Sequence, residues 1–74
     1  MANYNSMISE WIKEKRIEKG WKQDQLGEKV GVTKTAVSYW ESGKRSVSAE
    51  MFVSICKALD ANPQELIIRM LGDD

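Results

Sequence analysis

Between Gln23 and Trp40 the chain reads QDQLGEKVGVTKTAVSYW, and its apolar residues leave few ways to fold. Leu26 and Val30 stand four apart, Val37 and Trp40 three apart, and Gly31 falls between the pairs. Side chains three or four residues apart share one face of a helix. The first pair predicts a helix over Gln23 to Val30, with Gly31 just past its end, where a left-handed residue is usually glycine. Thr33 is a good N-cap for the next helix, Lys34 to about Glu41, because Val32 at N′ and Val37 at N4 form a hydrophobic staple. With a small residue at 27 and apolar residues at 26, 30, 32, 37 and 40, two short helices joined across residues 31 to 33 fit the helix-turn-helix pattern, in which the helices cross at roughly 100°. Such a crossing needs a small residue at the closest approach, which Gly27 supplies, and apolar contacts sealing the inner angle.

The remaining residues build a setting for this pair. Ile8, Ile12 and Arg16 recur on one face of a predicted helix from about Met7 to Lys19, capped by Ser6 and stopped at Gly20. Trp11 borders that face; Ile17 falls nearly opposite Ile8, with Trp21 its candidate neighbour. Ser48 can cap a fourth helix, in which Phe52, Ile55, Cys56 and Leu59 form one apolar stripe. Asn62, Pro63 and Glu65 mark a fifth start, as N-cap, first-turn proline and N3 acid, and this helix runs toward Gly72. Its Leu66, Ile67, Ile68, Met70 and Leu71 are too many apolar residues for one inward side. Ile67, Ile68 and Leu71 are therefore the candidate dimer interface. The expected organisation is a short arm at 1–6, one domain at 7–71 and a tail at 72–74. No β-hairpin signal, internal repeat or linker interrupts it, so the fold class is all-α, five short helices in one domain.

Composition removes whole classes of function. A chain of 74 residues is one small domain that buries roughly 60% of its unfolded surface. With one cysteine and no histidine it has neither an internal disulfide nor a zinc cluster. Cys56, on an apolar stripe, is expected to be a buried, inert thiol. No metal, cofactor or catalytic nucleophile is expected, and hence no enzyme. No apolar run approaches the roughly 20 residues that span a bilayer, and MANYNS is not a signal peptide start, so a cytoplasmic protein without membrane contact is expected. The formal charge is zero, which argues against a generic polyanion binder. The distribution is uneven: residues 1–45 carry nine Lys/Arg against six Asp/Glu, residues 46–74 two against five.

The outer face of the second helix of the pair carries Lys34, Thr35, Ser38 and Tyr39, polar groups that no core requires. With them the chain resembles the Cro/cI-type helix-turn-helix domains of lambdoid phage repressors, the XRE family. The residues that carry the resemblance are WKQDQLGEKVGVTKTAVSYWESGK, Arg16 upstream and FVSICKALDANPQEL downstream, about residues 8 to 68. Two departures stand out. Gly27 replaces the usual alanine, which is expected to loosen the second helix by about 0.5–1 kcal/mol. Val47 replaces a common loop proline, which leaves the 43–48 loop without that restraint.

The resemblance implies a compact lambda-repressor-like DNA-binding domain whose helix-turn-helix spans about 23–42. It places the third helix in the major groove, with Lys34, Thr35, Ser38 and Tyr39 at base-reading positions. Gln23, Thr33, Lys44 and Arg45 match phosphate-contacting positions. Arg16 and Glu41 match a structural ion pair joining the first and third helices. The expected partner is a double-stranded DNA operator of near-palindromic sequence, bound by a homodimer, and the expected function is transcriptional regulation of the phage or prophage repressor or Cro type. A restriction-modification controller protein, a DNA-binding antitoxin and, from another class, a protein-interaction module are the alternatives.

Overall fold

The computed structural model describes residues 3–72, and five helices make up the described chain: α1 Tyr4–Glu18, α2 Gln23–Val30, α3 Lys34–Ser42, α4 Ala49–Leu59 and α5 Gln64–Gly72. α1 lies against α3, α4 and α5, while α2 packs on α3 and α4. The core between them is Trp11, Ile12, Leu26, Val37, Trp40, Ile55, Cys56, Leu59 and Leu66, all buried. The Trp11 ring meets Phe52 at 5.8 Å between centroids, tilted by 40°. Fully burying a side chain of the valine, leucine or isoleucine class contributes about 1.5–3 kcal/mol, so Ile12, Leu26, Val37, Ile55 and Leu66, together with the larger Trp11, carry most of the hydrophobic stabilisation.

The first helix starts earlier than the sequence suggests. Asn3, not Ser6, is the N-cap: its Oδ1 accepts the Ser6 N–H at 3.1 Å and its carbonyl accepts the Met7 N–H at 3.1 Å. Asn and Ser are comparable caps, and the earlier one adds a turn that takes residues 4–6 of the expected arm into the helix. Ser9, buried, returns its hydroxyl to the Asn5 carbonyl at 3.0 Å. Ile17, off the apolar face, is 57% exposed. Trp21 is half-buried, with the Lys19 and Lys29 ammonium groups each 5.8 Å from its ring centroid.

The other boundaries follow their caps. Thr33 Oγ1 accepts from Ala36 N–H at 3.2 Å, Ser48 Oγ from Met51 N–H at 3.1 Å and Asn62 Oδ1 from Gln64 N–H at 2.9 Å. α4 ends without glycine: Asp60 takes the left-handed conformation, φ 51°, and the following Ala61 N–H closes on Cys56 O at 3.0 Å. Val47 is half-buried against the core, so packing holds the loop after α3 without a proline. Cys56 is a free, buried thiol, and burial pushes its pKa up, as an inert core cysteine requires.

Charged groups strap α1 to α5: Lys15 Nζ lies 2.8 Å from Glu65 and Arg69 reaches Glu14 at 3.4 Å, while Arg69 also pairs with Glu65 within α5 at 3.3 Å. The hydrogen bond from Lys15 holds the Glu65 carboxyl below its ordinary value of 4.5. A depressed carboxylate stabilises the fold above its unfolded pKa, and that contribution fades as the pH falls through the folded value.

Gly27 has a tighter role than the expected loosening of α2. Both Gly31 N–H and Val32 N–H close on its carbonyl, the latter at 2.8 Å, while Gly31 turns the chain with φ 78°. A Cβ placed on Gly27 would stand 2.7 Å from the Val32 carbonyl oxygen and 3.2 Å from that of Thr33, both backbone atoms. The glycine is what lets α2 meet the turn so closely. On an exposed helix, glycine to alanine would gain about 1 kcal/mol, equivalent to roughly 4–8 °C in a domain of this size. Here Gly27→Ala is expected to lower the melting temperature and Gly27→Val to lower it further; a rise of the full helix-propensity gain in a thermal melt would disprove the close contact.

Candidate nucleic-acid interface

The orientation of α3 is set at Glu41, near its C-terminal end. Arg16, in the last turn of α1, donates from Nε to Glu41 Oε2 at 2.7 Å and from Nη2 to Oε1 at 3.0 Å. Its Nη1 donates to the Trp21 carbonyl at 2.7 Å, and Gln23 Nε2 donates to Glu41 Oε1 at 3.1 Å. The two charged side chains are 10% and 3% exposed. One carboxylate therefore gathers α1, the α1–α2 turn, the start of α2 and α3. The glycine-ended turn of α1, in which Trp21 N–H bonds Arg16 O at 3.1 Å, brings the Trp21 carbonyl within reach of the guanidinium. The ion pair expected from the sequence is present, in bidentate form.

With its inner side fixed by Val37, Trp40 and Glu41, α3 turns Lys34, Thr35, Ser38 and Tyr39 outward. Lys34 and Thr35 are exposed, Ser38 is partly covered and Tyr39 is 37% exposed. Among the described residues, the side chains of Lys34, Thr35 and Ser38 make no hydrogen bond within the chain. They present a cation, two hydroxyls and a methyl, the chemistry that addresses guanine, either base edge and the thymine methyl in the major groove.

The expected phosphate-contacting residues are placed in two ways. Thr33 and Gln23 stand at the starts of α3 and α2, where backbone N–H groups lack helical partners and favour an anion. The Thr33 hydroxyl already accepts from Ala36 and keeps its proton to donate. Gln23 is committed more deeply than the sequence shows: one of its two amide protons is on Glu41, which leaves the second amide N–H and the backbone N–H to donate to a phosphate. Its position alone gives no sign of that commitment. Lys44 and Arg45, both exposed, follow α3, with Lys44 Nζ 5.7 Å and Arg45 Cζ 5.6 Å from the Tyr39 ring centroid. Among the described residues no group of His, Cys, Asp and Glu is arranged to hold a metal, and no helix is long and apolar enough to cross a membrane.

Residues 12–66 match the protein family described as helix-turn-helix, a span that runs from the core of α1 into α5 and includes the whole site. The chain belongs to the helix-turn-helix family, of Cro/cI (XRE) type. The uncharacterized HTH-type transcriptional regulator YgzD of Bacillus subtilis (strain 168) is 36% identical over 55 residues, covering 74% of this chain and 83% of the relative. Among solved structures, a point mutant of the restriction-modification controller protein C.Esp1396I superposes with a TM-score of 0.85 at 30% identity, covering 99% of this chain and 100% of that one. The P22 c2 repressor, solved with a synthetic operator, superposes at 0.72 and 32% identity, covering 80% of this chain and 89% of its own. The lambda-repressor-like architecture is thus shared over the complete described helix-turn-helix chain.

Because Glu41 is buried, removing it leaves Arg16 and the Gln23 amide without their acceptor. Breaking a buried pair from one side costs about 3–5 kcal/mol, a large share of the roughly 4–11 kcal/mol total that a domain of this size possesses. Glu41→Ala is expected to lose at least about 3 kcal/mol, measured by urea titration, whereas Gln23→Ala loses about 1 kcal/mol, one ordinary hydrogen bond. An unchanged midpoint for Glu41→Ala would show that the pair does not hold the domain together.

Proposed function

We propose that this helix-turn-helix DNA-binding regulator is sequence-specific and acts as a cytoplasmic homodimer on a near-palindromic operator, in the manner of a phage or prophage repressor or Cro-like protein. The observation that carries this reading is the outer face of α3: unpartnered Lys34, Thr35 and Ser38 on a helix whose angle is locked by the buried Arg16–Glu41 pair. Phosphates held at the starts of α2 and α3 and beside Lys44 and Arg45 would set the register, and the three side chains would read the bases. Bound at a promoter, the dimer would occlude or organise polymerase, with no catalytic step. A restriction-modification controller is a second reading, supported by the superposition over 99% of this chain.

Selection from random duplexes, followed by titration of selected and scrambled DNA across a salt series, tests the assignment. Alanine at Lys34, Thr35 or Ser38 is expected to cost about 1–3 kcal/mol on the selected duplex, and for Thr35 and Ser38 much less on scrambled DNA. Lys44→Ala and Arg45→Ala should weaken both alike and reduce the salt slope by roughly one for each phosphate no longer neutralised, two per dimer. If Thr35→Ala and Ser38→Ala leave the ratio between the two duplexes unchanged while Lys44→Ala alters it, α3 is not the reader. Absence of binding to any duplex at low salt would favour a protein-interaction module.

Support for the dimer is the outer side of α5, where Ile67, Ile68 and Leu71 are 47%, 61% and 74% exposed. The controller protein C.Esp1396I has been solved as a tetramer on its natural 35-base-pair operator. Ile68→Asp or Leu71→Asp should shift the chain toward monomer in sedimentation and weaken operator binding while it stays helical. Protected half-sites should lie about 10 base pairs apart, one turn of about 34 Å. A wild type that is monomeric at high concentration and on DNA overturns the dimer.

A further inference from the structure

Lys44 and Arg45 are adjacent like charges on an exposed loop, and among the described residues neither forms a salt bridge with an acid. What gathers them is Tyr39. Its ring has the Lys44 ammonium at 5.7 Å and the Arg45 guanidinium at 5.6 Å from the centroid, both within cation–π range. Its backbone carbonyl accepts the Arg45 N–H at 3.2 Å and the Ser42 hydroxyl at 3.3 Å. A π face compensates positive charge without supplying a counter-ion, so both cations keep their capacity for an anion. An acid in the same place would consume it.

We infer that Tyr39 is a positioning residue for a two-cation phosphate clamp, holding Lys44 and Arg45 ready at the end of α3, and does not itself read a base. This rests on the reading of α3 as the DNA-facing helix. With two cations over the ring, a base edge or thymine methyl would have to displace them to lie along its face, whereas the hydroxyl stays available for direct readout. Flexible lysine and arginine side chains lose rotamer freedom when fixed on a phosphate, and holding them beforehand reduces that loss. The clamp then contributes affinity and register equally for every sequence.

The test uses the full chain with the duplex obtained by selection and a scrambled duplex, and circular dichroism to confirm that each variant is folded. Tyr39→Leu, which keeps apolar bulk but removes the π face, should weaken binding to both duplexes by the same factor, about two- to tenfold per side chain released, with the ratio between them preserved. Tyr39→Phe restores the ring without the hydroxyl and should recover that loss. In a Lys44→Ala, Arg45→Ala background, Tyr39→Leu should have no further effect, an outcome that a merely structural tyrosine would not give. The inference is overturned if Tyr39→Phe changes the ratio, which makes the hydroxyl a reader, or if Tyr39→Leu binds as wild type does. It is also overturned if Tyr39→Leu costs as much without the two cations as with them. Wild-type protein that binds neither duplex would instead remove the DNA-binding reading beneath it.

Discussion

The arrangement depends on one buried carboxylate. Glu41 receives hydrogen bonds from the first helix and from the start of the second, and its own helix is the one that carries the exposed polar face. Apolar packing alone is nearly indifferent to small rotations of one short helix upon another, whereas a bidentate guanidinium–carboxylate contact fixes both distance and plane. An α3 of nine residues, too short to be stable in isolation, acquires a defined angle because its last turn is tied to α1. The buried pair is thus weak evidence for stability and stronger evidence for orientation.

The turn performs the complementary task from the other end. Gly27 lets the backbone of α2 approach the carbonyls of Val32 and Thr33, and Gly31 reverses direction within a single residue. Val37 and Trp40 then fill the angle between the helices. One constraint is steric and the other electrostatic, and between them α3 has little freedom to slide or roll. The helix starts at Gln23 and Thr33, with backbone N–H groups that lack helical partners, are carried by the same two constrained helices.

Much of this is legible in the sequence because the decisive signals are local. The span of α2 follows from Leu26, Val30 and Gly31, and the starts of α3, α4 and α5 follow from Thr33, Ser48 and Asn62, each a capping residue before an apolar run. The start of α1 is not, because Asn3 and Ser6 are equally able caps and periodicity cannot choose between them. Asp60 ends α4 in a conformation that is ordinarily signalled by glycine. The consequence of Gly27 escapes a propensity argument because propensity scales price a residue against solvent, whereas here the opposing carbonyl belongs to the turn. Gln23 bonding to Glu41, and Lys44 and Arg45 gathering over Tyr39, involve side chains whose meeting depends on the completed geometry. The family resemblance places these residues near DNA but not near one another.

The separation between the inner and outer faces of α3 has an evolutionary consequence. Lys34 and Thr35 are exposed and Ser38 is only partly covered, and none of the three belongs to the buried core or the ion pair, so exchanging them alters what the helix offers a groove at little cost to folding. A lineage carrying this chain can therefore drift toward a new operator by single steps, each passing through a folded protein. Val37, Trp40 and Glu41, interleaved along the same helix, have no such freedom. Divergence within α3 should accordingly follow the turn of the helix, with change at positions 34, 35 and 38 and constancy at 37, 40 and 41.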